Sequence, residues 1–465
     1  MQPRRFMGVG VRGVDPRWSR AAGPARGQAL IIGVALLAIA MGALFFAVHA
    51  GQSVVLKRRV THVADAAAYS AAAWRARVLN FQAYANRAIV FQEVAVAQAV
   101  TLASWSRYFE TFTRTAADFG RAYPPVGAVL EVVADIAEAL REVTHYAADA
   151  EIAWRASPDV GYKSLLQASQ ELLLASAGGF GASAVANEVA RATDARFFAF
   201  VLPDRGAFSS LTRRYDSDDD RGRIRDLVDR SLDPFTRGPR GVDFVVWGLP
   251  AGCALSSASP ADWFQMYRKR GATTLAPGLD RWEAADVGSI HDNVRTGFFR
   301  SRCSRVETVP LGWGAREAGL EEPARELLAR AGDVETDPQA LERAQADLSE
   351  QEHQFQSRFS GIERVRDLDY GNLANDRYPT TRTAVLASAR PSAVALLDGR
   401  PDRLRPGHAI AAGRMWALAV AEAYFARPPG APERVEFASL YNPYWQARLT
   451  APEAAERALA ETYVR

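Results

Sequence analysis

Lysine is nearly missing from this chain: of 56 basic residues only Lys57, Lys163 and Lys269 are lysines. Cysteine is scarcer still, with two in 465 residues, which excludes a disulfide-rich scaffold. Glycine and proline, at 34 and 24, are too few and too irregularly spaced for a collagen-like repeat. An excess of one charge sign is also lacking over most of the length. The net charge is +3, but residues 1–27 hold six Arg and one Asp, so the other 438 residues sum to −2. A basic tail on a near-neutral body excludes a nucleic-acid-binding body, and no nucleic-acid partner is expected. Only one long apolar run exists, which excludes a multi-span membrane class. At 48% hydrophobic and 23% charged, the chain can bury a sizeable core, and its length allows two to four domains. The preference for Arg and Ala is that of a GC-rich bacterial genome.

The apolar run is Ala29 to Ala50, twenty-two residues without Asp, Glu, Lys or Arg. As a helix it can cross a hydrocarbon core of about 30 Å. Six Arg precede it, and Lys57, Arg58 and Arg59 follow. The positive-inside rule then places the N-terminus in the cytoplasm and residues 51–465 outside. A cleaved secretory signal is the competing reading, with Val48 and Ala50 as the small residues at a cleavage site, although the run exceeds a usual signal core of about 7–15 residues. Both readings export the remainder. In an oxidising compartment Cys253 and Cys303 are a candidate disulfide, with two free thiols as the alternative.

Beyond the run, Val60, Ala64, Ala67, Ala71, Trp74 and Val78 open a series stepping by four and three as far as Leu102. The average is the coiled-coil period, and the small side chains suit close approach of another helix. A helix to Phe119 would be a rod of about 90 Å. Gly120 to Pro125 ends it. A second helix carries Val129, Val133, Ile136, Leu140, Val143, Ala147, Ala150 and Trp154, again at four-three spacing. A third and a fourth follow to about residue 195. Short turns make residues 51–195 an elongated helical stalk or bundle. In residues 196–465, strands are expected at 197–202, 242–249, 383–386 and 394–397, and helices at 221–232, 338–359, 408–425 and 452–463. The expected fold class is a transmembrane helix continuing into an elongated α-helical region, then an α+β exported domain. The divisions are 1–28, 29–50, 51–195 and 196–465.

Chemistry-bearing patterns are weak. Gly8 to Gly13 spells G-x-G-x-x-G without a preceding strand, in a short tail. Asp216, Asp218, Asp219 and Asp220 lack the turn glycine and the bidentate Glu of a calcium loop. Glu142/His145 and Glu350/His353 share helix faces but lie far apart in the chain, so both histidines are expected to be exposed. No nucleophile-elbow, β-lactamase, zincin or P-loop pattern occurs. No catalytic, metal or cofactor site is assigned, and the chain is expected not to be an enzyme. The aromatic segment Leu440 to Trp445 reads as packing a terminal element onto its own domain, with partner docking as the other possibility.

One stretch carries a resemblance. Arg26-Gly27-Gln28-Ala29, the apolar run with Gly51 after it, Lys57-Arg58-Arg59, and Ala64-Asp65-Ala66-Ala67-Ala68 resemble the membrane-anchored N-terminus of the Tad (TadE/TadG-like) Flp pilus-assembly family. The family's Asp before the post-membrane glycine is His49-Ala50 here, and its Leu-Gln-Asn is Val60-Thr61-His62. True prepilins carry a Glu five residues past the processing glycine, where this chain has Ile32, so the resemblance is to the unprocessed TadG-like side. It implies a single-pass protein of the bacterial inner membrane with a periplasmic body. Its partners would be other pilus or secretion assembly proteins, with self-association through helices as a further possibility. An anchored periplasmic ligand-binding or sensing domain is the alternative, and an anchored hydrolase a weaker one.

Overall fold

The computed structural model describes residues 28–122, 124–156, 161–204, 206–215, 218–247, 263–296, 302–319, 338–351, 365–371, 379–389, 414–427 and 437–464. One helix dominates. α1 (Gln28–Gly120) runs for 93 residues without a break, so the apolar run continues directly into the small-residue series. Its rise of 1.5 Å per residue puts Gly120 about 105 Å from Ala50. The chain reverses at Gly120, where a Cβ would meet Leu130 Cδ1 at 2.7 Å and Gly127 Cα at 3.3 Å. Glycine at both places lets α2 (Pro124–Ala156) come back close against α1. α3 (Tyr162–Gly178) and α4 (Phe180–Thr193) then return along the same helix.

The strands form two beds for α1. In the first sheet β1 (Phe197–Val201), β8 (Thr380–Ala389), β9 (Met415–Phe425) and β10 (Trp445–Thr450) lie in the order β1-β8-β9-β10, all antiparallel. Alternation along β9 explains its composition. Ala417, Ala419 and Ala421 face the alanines of α1, while Trp416 and Leu418 pack toward the last helix, α8 (Ala454–Val464). A strand covered on both faces reads as one continuous apolar run, which is why 408–425 looks helical in sequence and 415–425 is a strand instead. The second sheet is an antiparallel meander of β3 (Val242–Trp247), β4 (Trp263–Leu275), β5 (Trp282–Thr296) and β6 (Arg302–Ala318). Its outer face packs Ala272, Ala285, Val287 and Ala315 against Ala340, Ala344 and Leu348 of α7 (Pro338–Gln351). Between the beds, β2 (Thr212–Arg214) pairs with β7 (Arg366–Leu368), and α5 (Asp218–Ser231) and the short α6 (Pro234–Arg237) close the side of α1.

Residues on either side of 195 share this packing: Ala64, Ala67, Ala68, Ala71 and Ala72 lie in one cluster with Ala182 and Ala186 of α4 and with Val385, Ala387 and Ala419 of the sheet. From Val60 to Val78 the four-three series of α1 is covered by the chain's own strands and helices. On α2 the inner face is mostly small or polar (Gly127, Ala134, Ala137, His145, Ala148) with Ile152 fully buried, and the four-three series points outward, with Ile136 63% and Val143 66% exposed.

Candidate membrane anchor and assembly surface

From Leu30 to Phe46 the large apolar side chains of α1 are exposed, many beyond 59%, and none packs into a core. A surface of that kind and length is energetically unfavourable in water and suits a bilayer core. Among the described residues α1 is the helix long and apolar enough to cross a membrane, unless α3 and α4, bent by 57°, are counted together. α3 and α4, however, bury Gln170, Leu174, Ala182, Ala186 and Ala190.

Burial begins one turn past Gly51, at Leu56 and then Val60. The basic cluster sits at this transition. Lys57 Nζ donates to the Trp416 carbonyl oxygen, tying α1 to the start of β9. Arg58 and Arg59 stay exposed. Arg59 lies near Asp194 in the α4–β1 turn, whose carboxyl is held low, at about 2, chiefly by its bonds to Arg196. The alanines divide by face: Ala64, Ala67 and Ala68 are fully buried, Ala66 is exposed, and Asp65 is half-buried. A helix with methyl groups on its inner face can lie close to the alanines of α4 and β9, so the segment acts as packing. A Cβ added to Gly51 would meet nothing within 4 Å, so that side of the helix is open. Gly27 and Cys253 lie outside the described residues. Cys303 falls on β6 with its side chain also outside them, so the expected disulfide lies beyond the described residues as well.

The residues that fasten α1 to the body are ones sequence reasoning missed. Arg75, 1% exposed, donates to the Ala177 and Arg382 carbonyl oxygens, to Thr383 Oγ1 and to Asp204 Oδ2, the last at 2.7 Å. Asn86 Nδ2 donates to the carbonyls of Arg366 and Leu440, while its Oδ1 accepts from Gln170. Lys163 of α3 donates to Glu93 Oε1 at 2.7 Å, both side chains within 2% of full burial. Lower on the helix, Ser104 Oγ donates to Asp286 Oδ2 at 2.9 Å, and Arg240 and Lys269 complete the shell of that carboxylate. Glycines make this last contact possible. A Cβ on Gly314 would overlap the Ser104 carbonyl oxygen and the Tyr108 amide nitrogen, and one on Gly312 would sit 2.8 Å from Phe112 Cβ. The signal in sequence was the set of polar residues inside an alanine-rich helix. Burial of such groups requires partners, and the partners lie up to 354 residues away.

Several other expectations change. His145 is buried, not exposed, with Nε2 donating to the Ala103 carbonyl oxygen at 3.2 Å. His353 and Asp216 lie outside the described residues, while Asp218 to Asp220 begin α5. Leu440 and Trp445 are buried in the cluster with Leu79 and Phe425, so that aromatic segment packs inward. Among the described residues no group of three or more His, Cys, Asp and Glu gathers as a metal site.

His145 supplies a pH dependence. Burial, then Arg316 and Arg141, pull its pKa from 6.5 down to about 4. The folded state therefore favours neutral imidazole, and between about pH 6.5 and 4 the unfolded chain binds the extra proton. The stability this contributes is complete above pH 6.5 and is lost as pH falls toward 4. Denaturant titrations at pH 7.5 and 5 should differ by about 2 kcal/mol more in the parent than in His145→Asn. Equal differences in the two proteins would remove this account of His145.

Residues 27–74 match the Tad family model, that of TadE/G-like Flp pilus assembly. No curated protein matches the chain, and no solved structure does. The matched stretch ends one residue before Arg75.

Proposed function

We propose that the protein is a single-pass, membrane-anchored structural component of Flp-type pilus assembly in a bacterial inner membrane. Its N-terminus lies in the cytoplasm and residues 51–465 in the periplasm, and it works by protein–protein contact, without a catalytic step. The observation that carries the reading is a coincidence of position. Residues 27–74, which match the family, are also the residues that join the exposed apolar run to the buried axis of the body. Lys57 and Ala64 to Ala68 thus couple an anchor to a rigid exported unit, which suits a part that transmits position rather than turnover. Six Arg before the run support the cytoplasmic placement of the N-terminus.

Deleting the gene and counting surface pili tests this. Loss of pili, restored by the full chain and not by a chain lacking residues 29–50, is the expected result. Normal piliation in the deletion strain would contradict it.

A further inference from the structure

α2 turns most of its large apolar side chains away from the protein, Ile152 being the fully buried one. Val129, Val133, Ile136, Leu140, Val143 and Trp154 are 36% to 66% exposed, while the small residues of the same helix face α1. These six together expose on the order of 600 Å², at the upper end of the largest patch of a typical monomer, about 300–600 Å².

The bilayer does not explain the stripe. The register of α2 on α1 is set by Arg155 to Gln92 at 2.8 Å, Thr144 to Ser106 at 2.6 Å and Arg141 to Glu110 at 2.9 Å. α2 therefore lies beside residues 92–120 of α1, about 60 to 105 Å beyond the end of the apolar run. Lipid headgroups do not reach that far.

The spacing identifies the kind of protein surface. With the exposed Ala147 and Ala150 between Val143 and Trp154, steps of four and three run over more than three heptads, the pattern that a partner helix meets in a left-handed supercoil. Charge placement favours an identical partner. Glu131, Asp135 and Glu142 stand off the seam, and Glu131 faces Arg121 while Arg141 is held by Glu110, so two copies would meet without acid against acid. Anchoring then supplies the register. Copies in one bilayer are parallel, and a twofold axis along the membrane normal brings each stripe to the same height as its twin.

We propose that α2 is the surface through which this protein pairs with a second copy of itself, stripe to stripe and in parallel. The proposal rests on the anchored reading above, because the shared bilayer aligns the copies.

Site-specific photo-crosslinking tests it in native membranes with the full chain. A benzophenone amino acid at Ile136 or Val143 should give a product at twice the 50.7 kDa of one chain. At Asp135 or Glu142 that product should be at least tenfold weaker. Ile136→Glu with Val143→Glu should abolish it while leaving protease resistance unchanged, since both side chains are outside the core. A product with another protein, products independent of position, or no dimer from a membrane-retained chain overturns the proposal alone. If alkaline washing releases the chain from the membrane, the anchored reading fails and the proposal falls with it.

Discussion

Gly314→Val should lower stability by about 3 kcal/mol or more, the largest effect expected from any single small-to-large change in the second sheet. A Cβ at this place would overlap backbone atoms, the Ser104 oxygen and the Tyr108 nitrogen, with Arg107 Cβ at 3.0 Å. Backbone of a long helix cannot step aside locally as a flexible side chain can. α1 would have to lift off β6, and the Ser104 to Asp286 bond would lengthen with it. Gly222→Ala is the control. It lies within α5, nothing is within 4 Å of its Cβ position, and the change should stabilise by about 0.5–1 kcal/mol. Denaturant midpoints of the two variants measure both effects. A Gly314→Val chain as stable as the parent would mean that α1 does not seat on this sheet.

A loss of about 3 kcal/mol is expected for Glu93→Ala, because it takes a carboxylate from the Lys163 ammonium in a site where both side chains are nearly fully buried. Trp282 Nε1 also donates toward Glu93 Oε2, at 3.5 Å, and would lose that acceptor. Lys163→Met should cost a comparable amount by taking the ammonium from a buried carboxylate. Replacing both, as Glu93→Leu with Lys163→Met, should recover most of the loss, since two apolar groups of similar size need no partner. Glu93→Leu, Lys163→Met and the double variant close a double-mutant cycle, and its coupling is the quantity to measure. Additive single effects would show that the two charges are satisfied independently.

How much of this was legible in the sequence depends on what each pattern reports. The apolar run, the long helix beyond it and its end at Gly120 to Pro125 could be read because period, length and proline chemistry are local. The α2 stripe was legible as a stripe, but spacing shows that a face exists and does not say what covers it. β4, β5 and β6 were not legible at all. Their inner face carries Thr273, Asp286, Gly288, Gly312 and Gly314, so the apolar alternation that marks a strand is absent where α1 lies on it. Of the family-like residues, Lys57, Ala64, Ala67 and Ala68 make contacts that explain their chemistry, whereas Arg58 and Ala66 face solvent. The buried fastening residues Arg75, Glu93 and Ser104 could be recognised only once distant strands had been brought beside them.

The proposed role is that of an uncleaved anchor carrying an exported body that works among pilus-assembly proteins. A crosslinking pull-down from native membranes, with the full chain tagged at its N-terminus, tests it most directly. The account predicts recovery of pilus-assembly components together with the tagged protein at its intact mass. A shorter exported product without the tag, and without such partners, would contradict it.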